Sequence, residues 1–273
     1  MSEILAAHES RSWTSSQPAP ARRVVLIGAS NLTFGIGTVM SVAHRIWGQP
    51  LEVIAAHGLG RSYGAPSRVL GRQLPGILEC GLWQTLVERP DVPTAALVTD
   101  VGNDILYERP VDEIAGWVDE VLERLAAIGS RNVMTLLPTD HLPGLSRARF
   151  LLTRSVFMPR CSLSLATVTH RAMELNERLR EIGARREAAV VNQQAAWYGL
   201  DPMHIRWTRR PAAWSSILAA WNSDFALPHH RRSVLDGHRV RLRTPHQRRL
   251  FGVEQRRPQP AVRLADGTTV AIY

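Results

Sequence analysis

Three residues from two distant stretches of the chain have the types and spacing that acyl transfer needs. Ser30 follows an apolar run, and Asp201 and His204 stand three residues apart near position 200. A serine hydroxyl is a poor nucleophile until a histidine takes its proton, and that histidine needs a carboxylate to hold its tautomer. In YGLDPMHI, residues 198–205, a short turn can bring Asp201 back onto His204, so base and orienting group arrive together. A tetrahedral intermediate also needs N–H donors for its oxyanion. Two stretches can supply them. HGLGRSYG, residues 57–64, has glycines that let a backbone N–H approach a ligand closely, and TDVGNDILY, residues 99–107, carries the Asn103 amide.

Other chemistries for the turn in VVLIGASNLTFGIGTV, residues 24–39, lack a necessary part. A Walker loop needs a lysine after its last glycine, and the sequence contains no lysine: all 33 basic residues are arginine. A dinucleotide-binding turn of the short-chain dehydrogenase kind needs a Tyr–Lys pair and an acidic residue at the end of the second strand, where Ala55-Ala56-His57-Gly58 stands instead. The α/β-hydrolase elbow, Gly-x-Ser-x-Gly, fails at Leu32. Asp140-His141 is a rival acid–base pair and is read as lining of the cleft. Taken singly, Ser30 would be an ordinary helix cap and His204 a surface or core histidine. The case rests on their coincidence.

These groups need elements to position them. Short apolar runs at 23–28, 51–57, 95–101, 131–138 and 188–193 read as strands, with helical patterns near 33–47, 66–88, 111–128 and 165–186. Strands that are apolar throughout and alternate with helices predict a parallel sheet covered on both faces. In such sheets the site lies at the carboxyl ends of the strands, which is where each candidate residue falls. Residues 141–164 form a long connection, read as a lid. Residues 261–273, AVRLADGTTVAIY, read as a β-hairpin around an Asp-Gly turn.

Four blocks in order over about residues 23–222 resemble the SGNH hydrolase superfamily, the GDSL-type esterases and lipases. The resemblance implies an α/β fold, a three-layer α/β/α sandwich with a five-stranded parallel sheet of flavodoxin-like order. It implies a serine ester hydrolase working through an acyl-enzyme, with Ser30 as nucleophile, His204 as base and Asp201 as its partner. The Ser30 N–H, the Gly60 N–H and the Asn103 side chain would form the oxyanion hole, with Gly58 as the alternative to Gly60. No metal and no cofactor are implied. Asn31, Arg61, Asp104 and His141 are expected to line the substrate site, and Arg147, Arg149 and Arg154 could meet an acidic group on a substrate. The first block reads Gly-Ala-Ser-Asn where the family has Gly-Asp-Ser-Leu, so Ala29 removes a carboxylate from the turn.

Composition sets the remaining bounds. At 273 residues the chain can hold one large domain, read as residues 23–222, with a flexible tail over 1–22 and a basic extension over 223–273. No apolar run is long enough for a membrane span, and the start lacks the pattern of a secretory signal. Cys80 and Cys161 give no disulfide framework and no metal spacing, so a cytoplasmic setting is expected. The net charge of +9 is concentrated late: residues 222–273 hold ten arginines against four acids. A small-molecule or acylated substrate is the expected partner, and nucleic acid is not. Two alternatives stay open: an acyltransferase using the same site, and a non-catalytic protein that binds polyanions through the arginine-rich tail.

Overall fold

The computed structural model describes residues 22–140, 142–221 and 240–273. The expected flexible tail, apart from Arg22, lies outside these residues, as do His141 and the first part of the basic extension. In chain order the elements begin with β1 (Arg23–Ile27), α1 (Ser30–Trp47), β2 (Glu52–Ala56), β3 (Ser67–Val69), β4 (Arg72–Leu74) and α2 (Leu82–Glu88). There follow β5 (Thr94–Val98), α3 (Asn103–Leu106), α4 (Val111–Ala126), β6 (Arg131–Thr135), α5 (Arg147–Phe157) and α6 (Leu165–Arg185). The last are β7 (Ala189–Val191), α7 (Arg210–Leu218), β8 (Gln247–Leu250), β9 (Val253–Arg256), β10 (Val262–Arg263) and β11 (Thr269–Ile272).

The central sheet runs β10-β11-β2-β1-β5-β6-β7 and is parallel except for β10. Its strands show no polar alternation because both faces are covered. Val25, Ile27, Ile54 and Val98 pack under α4 and α6, while Val24, Leu26, Val53 and Leu97 pack against α1 and α7. Burying each such side chain contributes about 2 kcal/mol, so the sheet is a rigid platform for whatever its carboxyl edge carries. Gly35 lets α7 approach α1: a Cβ there would lie 2.1 Å from the Trp214 indole nitrogen.

Two expectations need correction. The sheet has seven strands, not five. The hairpin expected over 261–273 does form, but β11 also pairs in parallel with β2, from Thr269 opposite Glu52 to Ile272 opposite Ala55. It satisfies the backbone groups that β2 would otherwise leave open at an edge. The helix expected over 66–88 forms only at its end, as α2. Residues 67–74 are instead a hairpin, β3 and β4, turned by Leu70 and Gly71 with φ of 50° and 75° and stopped by Pro75 and Gly76. That hairpin pairs with β8 and β9 to make a second, antiparallel sheet, β3-β4-β8-β9.

The long connection after β6 carries a helical turn at Leu142–Gly144 and then α5, whose first turn is capped by Ser146 accepting from the Arg149 N–H. Among the described residues no helix is long and apolar enough to cross a membrane.

Candidate active site

The site begins with the turn between β1 and α1. Ser30 is the first residue of α1, and Ala29 before it offers no side-chain cap. The cap comes from the neighbouring strand end. Asp100, just past β5, accepts from the Ala29 N–H at 2.9 Å and the Leu32 N–H at 3.0 Å through Oδ2, and from Asn31 Nδ2 at 2.9 Å through Oδ1. Asp100 holds φ at 62°, a left-handed value that aspartate tolerates better than most residues. A carboxylate here satisfies free N–H groups and complements the positive end of the helix.

Asn31 carries the order of this turn to the histidine. Its Nδ2 also donates to the Met203 carbonyl at 3.0 Å, and its Oδ1 accepts from the Ile205 N–H at 2.8 Å. The residues on both sides of His204 are thus clamped to the start of α1. Asp201 completes the loop: Oδ1 accepts from the Met203 N–H at 2.8 Å and the His204 N–H at 3.3 Å, and Oδ2 lies 2.6 Å from His204 Nδ1. The other ring nitrogen, Nε2, is 3.0 Å from Ser30 Oγ. With a carboxylate on Nδ1, that nitrogen carries the proton and Nε2 presents a lone pair to the serine hydroxyl. Burial works to raise the Asp201 pKa, but the hydrogen bond and charge of His204 with the two N–H donors outweigh it and hold the carboxyl below its usual range. Phe34 packs edge-on against the His204 ring with centroids 5.4 Å apart, fixing its tilt.

A second polar cluster lies on the β2 side. His57 Nδ1 is 3.0 Å from Thr33 Oγ1, and the Thr33 hydroxyl donates to the Ala29 carbonyl at 2.6 Å, so His57 must be the donor of that pair. His57 is pushed down to about 3 by burial and then by the charges of Arg61 and Arg72. Gly60 has φ of 60°, and its carbonyl accepts from the Tyr107 hydroxyl at 2.5 Å. A Cβ on it would meet Val69 at 2.8 Å and the Tyr107 oxygen at 2.9 Å, so both backbone and space call for glycine. Asn103 Nδ2 points toward the Arg61 carbonyl of the same loop, at 3.4 Å.

Ser30, Asn31, Asp100 and Asn103 open onto a cavity of about 130 Å³. Its walls are mostly apolar: Leu136 and Leu137 after β6, Leu145 and Phe150 of the connection that carries α5, and Val168 and Ala172 of α6. Helix α5 is tied to the loop before His204, since the Arg149 guanidinium donates to the Gly199 and Leu200 carbonyls. Arg154 also turns to a backbone carbonyl, that of Leu163 at 2.8 Å, while lining the cavity.

The structure therefore brings Ser30, Asp201 and His204 together and sets Asn31 and Asn103 beside them. It does not bring Arg61 or Asp104 to the cavity as lining residues. Both are completely buried: Arg61 donates to the His57 carbonyl at 3.3 Å and to that of Tyr273, and Asp104 accepts from the Tyr63 N–H at 2.9 Å. Burial pushes the Asp104 carboxyl up to about 6, despite hydrogen bonds from Ser62 and Tyr63. His141 lies outside the described residues. Asp100 was missed by the sequence reading. Its signal was the absence of a carboxylate at Ala29, which left the helix start to be capped from elsewhere, and a neighbouring strand ending Thr99-Asp100.

No family model and no curated protein matches the sequence. Solved structures do. One chain superposes with a TM-score of 0.50 at 15% identity, covering 74% of this chain and 96% of its own. The psychrotrophic esterase EstA from a Pseudoalteromonas species gives 0.46 at 14% identity, over 73% of this chain and 97% of the esterase. A GDSL-like lipase from Bacteroides thetaiotaomicron gives 0.47 at 12% identity, over 74% of this chain and 88% of the lipase. The likeness is one of fold.

Proposed function

We propose that the chain is a serine ester hydrolase of the SGNH type. The observation that carries this reading is the unbroken line from Asp201 through His204 to Ser30, at 2.6 and 3.0 Å, at the edge of an apolar cavity. His204 Nε2 takes the hydroxyl proton as Ser30 Oγ attacks the ester carbonyl, and Asp201 stabilises the imidazolium that forms. The negative oxygen of the tetrahedral intermediate receives hydrogen bonds from the Ser30 N–H, the Gly60 N–H and the Asn103 amide. The position of Ser30 in the first turn of α1 adds the positive end of the helix. The imidazolium then returns its proton to the leaving alkoxide, giving an alcohol and an acyl-serine. Water, deprotonated by His204, attacks the acyl carbon and releases the acid. The acyl group lies in the leucine-lined cavity, roofed by α5, which serves as a lid tied through Arg149 to the loop that carries the base.

A fluorophosphonate probe tests the reading directly. The native chain is expected to label covalently, and labelling is expected to vanish in Ser30→Ala and fall by at least about 10³-fold in rate in His204→Ala. Labelling that survives in Ser30→Ala overturns the assignment.

A further inference from the structure

A second, wider cleft of about 670 Å³ lies against the antiparallel sheet. Four of its lining residues are arginines: Arg68, Arg72, Arg160 and Arg249. It is bordered by the two hairpin tips, Leu70-Gly71 and Phe251-Gly252, which join Val69 to Arg72 and Leu250 to Val253. At each tip both residues have positive φ, 50° and 75° at the first and 46° and 87° at the second. This is the pattern of a type I′ turn, where Asn-Gly is favoured and a bulky apolar first residue is strained. The two bulky residues gain nothing from burial in return, since Leu70 is 88% exposed and Phe251 79%.

The tips are also held side by side. The Phe251 N–H donates to the Gly71 carbonyl at 2.8 Å, and a Cβ on Gly71 would meet the Phe251 ring at 2.3 Å. Val253, 64% exposed, extends the ridge. Single exposed apolar residues are common, but two strained tips that touch each other and stand among arginines are an organised surface. Residues 67–74 and 247–256 together contain five arginines and one acid, Glu254.

We propose that this ridge docks on an anionic lipid surface. Leu70 and Phe251 enter the boundary between headgroups and acyl chains, and the surrounding arginines pair with lipid phosphates. The charge excludes a second copy of the same face, which would set arginine against arginine. It suits any polyanion, but the apolar side chains project at the tips, and of the three only Phe251 has a ring to stack on a base, whereas Leu70 and Val253 offer a nucleic acid neither a ring nor a charge. Leu106 lines both this cleft and the cavity beneath Ser30, so the docked surface and the candidate site share a wall. The docking does not depend on the ester chemistry.

Co-sedimentation with vesicles tests it, using phosphatidylcholine alone and equal parts of phosphatidylcholine and phosphatidylglycerol. The native chain is expected to sediment with the anionic vesicles only, and less so as salt is raised. The double variant Leu70→Asn, Phe251→Asn has better turn residues and should keep the native circular dichroism and melting point. Its partition coefficient is expected to fall about tenfold for each residue replaced. Failure of the native chain to bind anionic vesicles, or equal binding by the folded double variant, overturns the proposal. So does binding to duplex DNA that matches vesicle binding in strength, is lost in Arg68→Gln, Arg249→Gln and is unchanged in the asparagine variant.

Discussion

The cluster around His204 and the cluster around His57 meet at the same turn, residues 29–33, yet they treat their histidines in opposite ways. Both ring nitrogens of His204 have partners, at 2.6 and 3.0 Å, and its aspartate is still 38% exposed. His57 is buried with Arg61 and Asp104, and Nε2 of His57, Nε and Nη2 of Arg61 and Oδ1 of Asp104 have no partner among the described residues. A base that must gain and lose a proton needs a counter-charge and access to water. A histidine that serves as a fixed donor, passing order through Thr33 to the Ala29 carbonyl, is better kept neutral, and burial beside two arginines does so. The contrast supports the acid–base role proposed for His204 over one for His57. It also shows why the cluster of His57, Arg61 and Asp104, three ionisable groups buried together, is framework.

The largest way to break the comparison is to remove the counter-charge on the working side. Asp201→Asn should lower kcat about 10³- to 10⁴-fold, because the amide no longer favours the tautomer that leaves Nε2 free. Steady-state turnover of a short-chain nitrophenyl ester measures it, and a loss under tenfold would mean that Asp201 only shapes the loop.

Asn31→Ala leaves Ser30, Asp201 and His204 in place but frees the backbone on both sides of the base. A fall in kcat of about 10²-fold with KM nearly unchanged is expected, since small misplacements of a base cost that much. Equal changes in kcat and KM would show that Asn31 holds substrate instead of the loop.

The smallest effect sharpens the buried side and appears in stability. His57 has a depressed folded-state pKa, so the stability it contributes is present above its unfolded value of 6.5 and is lost as pH falls toward about 3. Asp104 has a raised one, so its contribution is complete below 3.8 and is lost as pH rises through about 6. Between pH 4 and 6 the two trends oppose each other. Asp104→Asn should therefore make the chain more acid-labile than the native protein by about 1 kcal/mol per pH unit, and His57→Gln should do the reverse. Urea unfolding at pH 4, 5 and 6 decides it; unchanged slopes in both variants would remove the buried-charge account.

Five strands and three of the four expected long helices were legible because their signal is local: apolar runs buried on both faces, and helical periods bounded by polar residues. The hairpin at 67–74 was not, since SRVLGRQL has enough leucine and arginine spacing to mimic a helix and its turn depends on positive φ at Leu70, which no propensity favours. The meeting of Ser30, Asp201 and His204, with Asn103 beside the same cavity, was legible because they lie in the segments after strands and their order along the chain matches a known pattern. Arg61 and Asp104 were read as cleft residues for the same reason, and their burial depends on β11 and on the 62–80 segment closing over them. Asp100 was hidden by its neighbours: of the two aspartates in TDVGND, only the fold reveals which reaches α1.

The pairing of β11 with β2 has a consequence in time. Thr268 bonds to Leu51 and His44 across 217 and 224 residues of sequence, and β11 reaches its partner at the same span. Closing so long a loop is slow. While the chain is being synthesised, β2 stands as an apolar strand with one unpaired side, and only the arrival of residues 269–272 removes that aggregation-prone edge. The β10–β11 hairpin thus joins the sheet from 217 residues further along the chain, and a nascent chain halted before residue 269 would leave that side of β2 open.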